Sequence, residues 1–262
     1  MRRALPLWLF LFLPWTGSAQ DKAAPALQVT WHGQSFFAVK SSQGTVVAFD
    51  PHLILQYGRP EGLRADIILI SHNHVDHTQV AALDNFRDKN VKIISGLKGD
   101  GQKATWNDVN ETIKDVTIRN IGVYHDASEG MQRGKNSIFI VEMDGWRIVH
   151  LGDLGHQLTP AQAKKIGPVD VLMVPVGGIY TLNGSEAKKV VEMLQPKEYF
   201  FPMHYGTKAF DDLLPIDEFL QDQDRAKVAS SNDNKVILNR DPTRPRPLLV
   251  QLHYWPKGKK AE

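Results

Sequence analysis

The chain has 262 residues, 42% of them hydrophobic and 23% charged, with ten histidines and no cysteine. This is globular composition with ample apolar surface for a core, and it excludes collagen-like, coiled-coil and disordered classes. Without cysteine there is no disulfide framework and no thiolate metal site, so every metal ligand must be nitrogen or oxygen.

The N-terminal stretch "MRRALPLWLFLFLPWTGSAQ" opens with Arg2 and Arg3, runs apolar from Ala4 to Trp15 and ends in small residues, with Gly17 and Ala19 where a signal peptidase reads. It is expected to be a signal peptide, residues 1–19, cleaved after Ala19. The alternative is an uncleaved anchor, but the run is shorter than the ~20 apolar residues a span needs, and Pro6 and Pro14 interrupt it. The mature protein, 20–262, is then exported, periplasmic or secreted, with no stable membrane anchor. Cleavage removes two arginines and no acidic residue, leaving 31 − 2 = 29 basic against 29 acidic side chains. A neutral chain has no bulk attraction to phosphate backbones, so the expected partner is a small-molecule substrate and not a nucleic acid. The short basic tail "PKGKKAE" reads as a solvated end.

Short β-rich segments follow: "LQVTW", "SFFAVK" and "TVVAFD", separated by the turn signals "HGQ" and "SQG". "ADIILIS" and "VKIIS" read as buried strands. Between them "TQVAALDNF" has helical spacing, with Val80, Leu83 and Phe86 on one face. "VTIRNIGVY", "NSIFIVEM" and "WRIVHLGD" read as strands, the last two joined by a hairpin with Asp-Gly at its tip. "VDVLMVPV" is a further buried strand. "SEAKKVVEML" reads as a helix with Ser185 as N-cap and Pro196 just past its end. "EYFFPM", "NKVIL" and "PLLVQLHYW" are late strands, and "IDEFLQDQ" is expected to be helical. Strands in two batches, each mixed with helices and with no low-complexity linker, suggest one α/β domain of two sheets covered by helices.

Directly after "DIILI" stands "SHNHVDHT", with three histidines and one aspartate within six positions. The cluster sits at a strand's C-terminal end, where α/β sites commonly lie. A loop curling around two cations could aim His72 and His74 at one and Asp76 and His77 at the other; a mononuclear site would use fewer of these groups. The plain alternative is a solvated polar loop. Three more ligand-type residues end predicted strands in the same way: His125 in "VYHD", Asp153 in "HLGD" and His204 in "FPMH". Strand ends converge on one edge of a sheet, and this shared placement favours a single site.

As an ordered set, "SHNHVDHT", "VYHD", "HLGDLGH", "VPVGGIYTLNGSEA" and "FPMHYGT" resemble the metallo-β-lactamase superfamily, across nearly all of the mature chain. Within it the chain is most similar to metal-dependent hydrolases of the ascorbate-phosphate lactonase-like branch. The resemblance implies an αββα sandwich of two mixed sheets flanked by helices, with two divalent metal ions, zinc first and manganese or iron as alternatives. Carried over, His72, His74 and His125 would hold one metal and Asp76, His77 and His204 the other, with Asp153 bridging. Asp50, in "FDP", would orient a ligand imidazole from behind. True β-lactamases lack the bridging carboxylate, so β-lactam hydrolysis is not expected. The di-iron redox branch carries Glu where this chain has His74, which argues against oxygen reduction.

Two cations sharing a water lower its pKa enough for hydroxide to exist near neutral pH, ready to attack carbon or phosphorus. Asp76 is the expected catalytic residue, orienting the nucleophile and shuttling a proton to the leaving group. Asn136, Tyr180, Thr181 and His156 are expected to line the substrate, with Lys135 an even choice. His32, His52, His150 and His253 are expected to be structural or exposed. The implied activity is hydrolysis of a small ester, lactone or phosphodiester. The alternatives are a lipid-head-group phosphodiesterase and a non-catalytic metal-binding protein.

Overall fold

A computed structural model describes residues 26–253. The expected signal peptide and the basic tail therefore lie outside the described residues. Among the described residues no helix is long and apolar enough to cross a membrane.

The chain enters through β1 (Leu27–Trp31), β2 (Phe37–Lys40) and β3 (Val46–Phe49), which form an antiparallel meander. β4 (Ile67–Ile70) and β5 (Lys92–Ser95) add to it in parallel. A two-residue ladder, β6 (Leu97–Lys98) with β7 (Thr105–Trp106), precedes the second batch. β8 (Asn110–Ile113), β9 (Val116–Tyr124), β10 (Lys135–Met143) and β11 (Trp146–His150) pair antiparallel in chain order. After α1 (Pro160–Ile166), β12 (Val171–Pro175) pairs parallel to β11; after α2 (Gly184–Leu194), β13 (Tyr199–Met203) pairs parallel to β12. The chain closes with α3 (Asp217–Leu220), β14 (Val228–Ser230), β15 (Lys235–Leu238) and β16 (Leu248–Gln251). β15 returns to pair with β1, whereas β14 and β16 extend the second sheet beyond β13. The result is a six-stranded and an eight-stranded mixed sheet.

One apolar core joins Val29, Phe37 and Leu69 of the first sheet to Phe139, Ile148, Leu172 and Phe201 of the second. Each such side chain contributes about 1.5–3 kcal/mol by leaving water. A smaller cluster of Phe36, Ile68, Ala82 and Leu83 covers the first sheet's other side. Glu198, buried just before β13, accepts from Arg244 Nη2 at 2.8 Å and Arg246 Nη1 at 2.9 Å, which ties the segment before β16 to the second sheet.

Three local expectations are corrected, and one element is new. Residues 78–86 form no α-helix, only a 3₁₀ turn over Val80–Ala82. Asn85 holds the Ala65 backbone through both its N–H and its C=O (3.0 and 2.9 Å), an alternative to helical pairing. "VKIIS" is an edge strand, with Ile93 exposed and Ile94 buried. The N-cap of α2 is Asn183, not Ser185: Asn183 Oδ1 accepts from Glu186 N, and the Glu186 side chain accepts from Asn183 N. Finally, α1 was not anticipated, although Thr159, Pro160 and Gln162 carry a full capping box with proline at the first turn.

The histidines outside the cluster include two of structural character. His52 Nε2–H donates to Gly33 O (3.1 Å), and its Nδ1 accepts from Ile54 N (3.2 Å). His150 does the same with Ser35 O and Gly152 N, at 2.9 and 3.1 Å. Burial pushes His52 down to about 4, opposed by its bond to Gly33, and burial pushes His32 down to about 3. A base with a depressed folded pKa contributes stability that is complete above the unfolded value near 6.5. That stability is lost as the pH falls towards the folded value. Between pH 7 and 5 the loss is expected to reach about 2 kcal/mol for each of the two. Urea unfolding across this range should show a shallower pH dependence in His52→Gln than in wild type; equal slopes would refute the assignment.

Candidate metal centre

β3, β4, β9, β11 and β13 run in the same sense within their sheets, so their C-terminal ends emerge on one edge of the sandwich. Asp50 follows β3, the cluster Ser71–His77 follows β4, His125 follows β9, Asp153 lies just past β11, and His204 follows β13. Sequence-distant residues thereby meet at one point.

All seven residues expected as ligands converge there. Asp153 Oδ2 lies 3.2 Å from His77 Nε2, 3.2 Å from His125 Nε2, 3.1 Å from His204 Nε2 and 3.8 Å from His72 Nε2. Its other oxygen accepts from Ser35 Oγ (3.2 Å), and its backbone N–H donates to Asn136 Oδ1 (3.3 Å). The carboxylate is thus anchored on one side and presents a single oxygen to the imidazoles. On either side of that oxygen lie two groups whose ligand atoms are within 4.8 Å of one another: His72, His74 and His125, and Asp76, His77 and His204.

Asp50, His72 and His77 also satisfy that spacing. But Asp50 Oδ2 meets His77 at Nδ1 (3.0 Å), the ring nitrogen other than the Nε2 that faces Asp153. Asp50 further accepts from Ser71 N (2.7 Å) and Ser71 Oγ (2.6 Å), and Ser71 Oγ contacts His72 Nδ1 at 2.9 Å. This geometry suits a carboxylate that orients two rings from behind.

The electrostatics follow the packing. Burial alone would raise Asp153, but His204 and His77 beside it, with hydrogen bonds from His125 and His204, hold it well below the carboxylate range. Burial opposes charge on His77, yet Asp153, Asp76 and Asp50 push it well above its ordinary value. His72 is driven down by burial and by His77. Asp76, partly exposed at the mouth, is held at about 2, against burial, by His77.

These residues fit divalent cations. The donors are all imidazole nitrogen and carboxylate oxygen, a set compatible with zinc, manganese and iron. His72 Nε2 and His74 Nδ1 stand 3.1 Å apart. That is close to the roughly 3.3 Å edge of a tetrahedron with arms of about 2.0–2.1 Å.

Backbone close approach sets the two far ligands. A methyl group at Gly155 would overlap the His125 carbonyl, and one at Gly177 would overlap the His204 carbonyl and Tyr205 Cα. Asp50 (φ 46°) and His204 (φ 51°) are non-glycine residues in the left-handed region. Such conformations cost of order 1–3 kcal/mol and persist only where the surroundings over-determine them.

The expected substrate-lining residues separate. Asn136 does not line the opening: it is fully buried, donating to Leu151 O (2.8 Å) while accepting from Asp153 N, and so shapes the loop that carries Asp153. His156 is spent on the backbone: its Nε2 accepts from Tyr124 N (3.2 Å). Thr181 is half-buried, and Tyr180 lies exposed under Arg133, whose Cζ is 4.4 Å from the ring centroid. Three supporting residues escaped the sequence reading. Ser35 reaches Asp153 and Ser71 reaches Asp50 from far along the chain, which leaves no local signal for either contact. Asp126 accepts from the backbone N–H groups of Ser128, Gly130, Gln132 and Arg133 at 2.7–3.1 Å. Its place at the head of "DASEG" is a turn signal that could have revealed it.

A family model described as a Beta-lactamase superfamily domain matches residues 28–204. A UPF0173 metal-dependent hydrolase of Thermococcus kodakarensis is 32% identical over 195 residues, 69% of this chain and 85% of its own. One of Carboxydothermus hydrogenoformans is 30% identical over 208 residues, with the same coverage of 69% and 85%. A solved structure of a metallo-β-lactamase superfamily protein from Thermotoga maritima superposes with a TM-score of 0.62 at 31% identity, covering 87% of this chain and 100% of its own. The chain belongs to the metallo-β-lactamase superfamily, and its two mixed sheets with their few outer helices are that superfamily's sandwich. It is a metal-dependent hydrolase.

Proposed function

We propose that the protein is an exported hydrolase with a dinuclear centre, acting on a small ester, lactone or phosphodiester. His72, His74 and His125 would hold one ion; Asp76, His77 and His204 would hold the other; Asp153 would bridge. The observation that carries this reading is the single Asp153 oxygen shared between the two ligand groups. Zinc is the first choice, in keeping with the Thermotoga maritima protein, a candidate Zn-dependent hydrolase. Bound there, such ions would supply a nucleophile from water near neutral pH and polarise the substrate's scissile group.

The chain's own residues then have defined tasks. Asp76, ionised and partly exposed, orients the attacking water and receives its proton. Its low pKa makes it a weak base, so positioning is its larger contribution. Asp50 and Ser71 keep the His77 and His72 rings turned towards Asp153. Buried Asn136 and Ser35 hold Asp153 against rotation.

A lipid-head-group substrate has one observation in its favour. Val75, Met131, Ile179 and Tyr180 are exposed apolar side chains on loops that carry or adjoin the ligands. The test covers both readings. Metal content is measured on the mature protein, and hydrolysis is assayed on short- and long-chain esters, a lactone and a phosphodiester, before and after chelation. We expect two metal equivalents per chain and activity that chelation abolishes and zinc restores. One equivalent would sink the dinuclear reading, and hydrolysis that survives chelation would sink the metal mechanism.

A further inference from the structure

Beside the candidate centre lies a cavity of about 250 Å³ lined by His72 and His74 together with Gln132, Arg133 and Lys135. No acidic side chain lines it. Among the described residues neither Arg133 nor Lys135 has an ion-pair partner. Arg133 stacks on Tyr180 and reaches Ile179 O at 3.4 Å; Lys135 Nζ stands 5.3 Å from the centroid of the Trp106 ring.

Of the two acidic residues just before Arg133 in the sequence, Glu129 is exposed and makes no ion pair with it among the described residues, and the Asp126 carboxylate is already spent. Both of its oxygens accept backbone N–H groups, including that of Arg133 itself at 2.7 Å. Asp126 therefore orders the loop that carries Arg133 and leads into Lys135, without neutralising either side chain. Strand alternation does the rest: at the start of β10, Asn136 turns inwards to the Asp153 loop, so its neighbour Lys135 faces the cavity. Two cations on aromatic faces, held in place and lacking a carboxylate, are built to receive an anion from outside the chain.

We propose that Arg133 and Lys135 form an anion pocket next to the metal centre, so that the substrate carries a carboxylate or phosphate group in addition to the bond that is cleaved. This rests on the hydrolase reading for the position of that bond.

The test uses the metal-loaded mature protein. Mono(4-nitrophenyl) glutarate is compared with 4-nitrophenyl butyrate, which lacks only the terminal carboxylate, in wild type, Lys135→Met and Arg133→Gln, with metal content measured on each. We expect the ratio of kcat/KM for the anionic over the neutral ester to fall about tenfold with each substitution, carried by KM, the scale of one charge-assisted contact. A ratio that does not change overturns the pocket and leaves metal-dependent hydrolysis standing. If metal-loaded wild type cleaves neither ester, the ester reading of the function fails instead. Calorimetry with glutarate and with propyl phosphate then decides the pocket. Binding of at least one probe that weakens about tenfold in both variants supports it and identifies the favoured anion; binding of both that ignores the substitutions overturns it.

Discussion

Asp153→Asn is expected to cut bound metal from two equivalents to at most one and to lower kcat/KM by a thousandfold or more. That corresponds to about 4 kcal/mol of transition-state stabilisation. The amide keeps the shape and can still meet Ser35 and the Asn136 contact at the backbone. What it loses is the charge on an oxygen facing three imidazoles at 3.1–3.2 Å. The fold should survive, since no core packing changes. Metal analysis beside circular dichroism separates the two effects. Full metal content with undiminished turnover would remove Asp153 from the centre and with it the case for a bridged pair of ions.

Gly177→Ala should be nearly as damaging, for a steric reason. The new methyl would overlap the His204 carbonyl and Tyr205 Cα, both backbone atoms. They have little room to retreat. Val176 N–H already donates to Met203 O (3.0 Å), the β12–β13 register runs to Pro175 opposite Met203, and His204 sits at φ 51°. The expected result is displacement of His204, loss of the ion that Asp76, His77 and His204 would hold, and destabilisation of about 3 kcal/mol. Thermal unfolding with and without added zinc reads both. A variant that melts like wild type and loads metal fully would show that the close approach is soft.

The strands, and the meeting of the candidate ligands at one edge, were legible in the sequence. Buried strands read as apolar runs, and each segment that carries a candidate ligand follows one of them. The 78–86 stretch shows where this stops. Its spacing identified which residues turn inwards, and Leu83 is indeed buried, but not the backbone path, because Asn85 binds Ala65 instead. The helix cap slipped by two residues because Ser185 and Asn183 are both good caps; only the position of Glu186 discriminates between them. Asn136 was read as a wall of the site because it follows Lys135 near His125. Which of two neighbours points inwards depends on strand register, and that becomes visible only once β10 is paired. Ser35 reaches Asp153 across 118 positions, a contact that only the assembled sheets create.

The superfamily match ends at His204, the last candidate ligand, yet the sandwich does not. β15 covers the outer edge of β1, and β16 with β14 covers that of β13, so the final strands clasp both sheets. A chain cut after His204 would keep every candidate ligand and still bare two strand edges, each a template for pairing with another copy. The boundary of the chemistry and the boundary of the folding unit are therefore different residues. Any shortened form meant to keep both sheet edges covered has to run at least through Gln251.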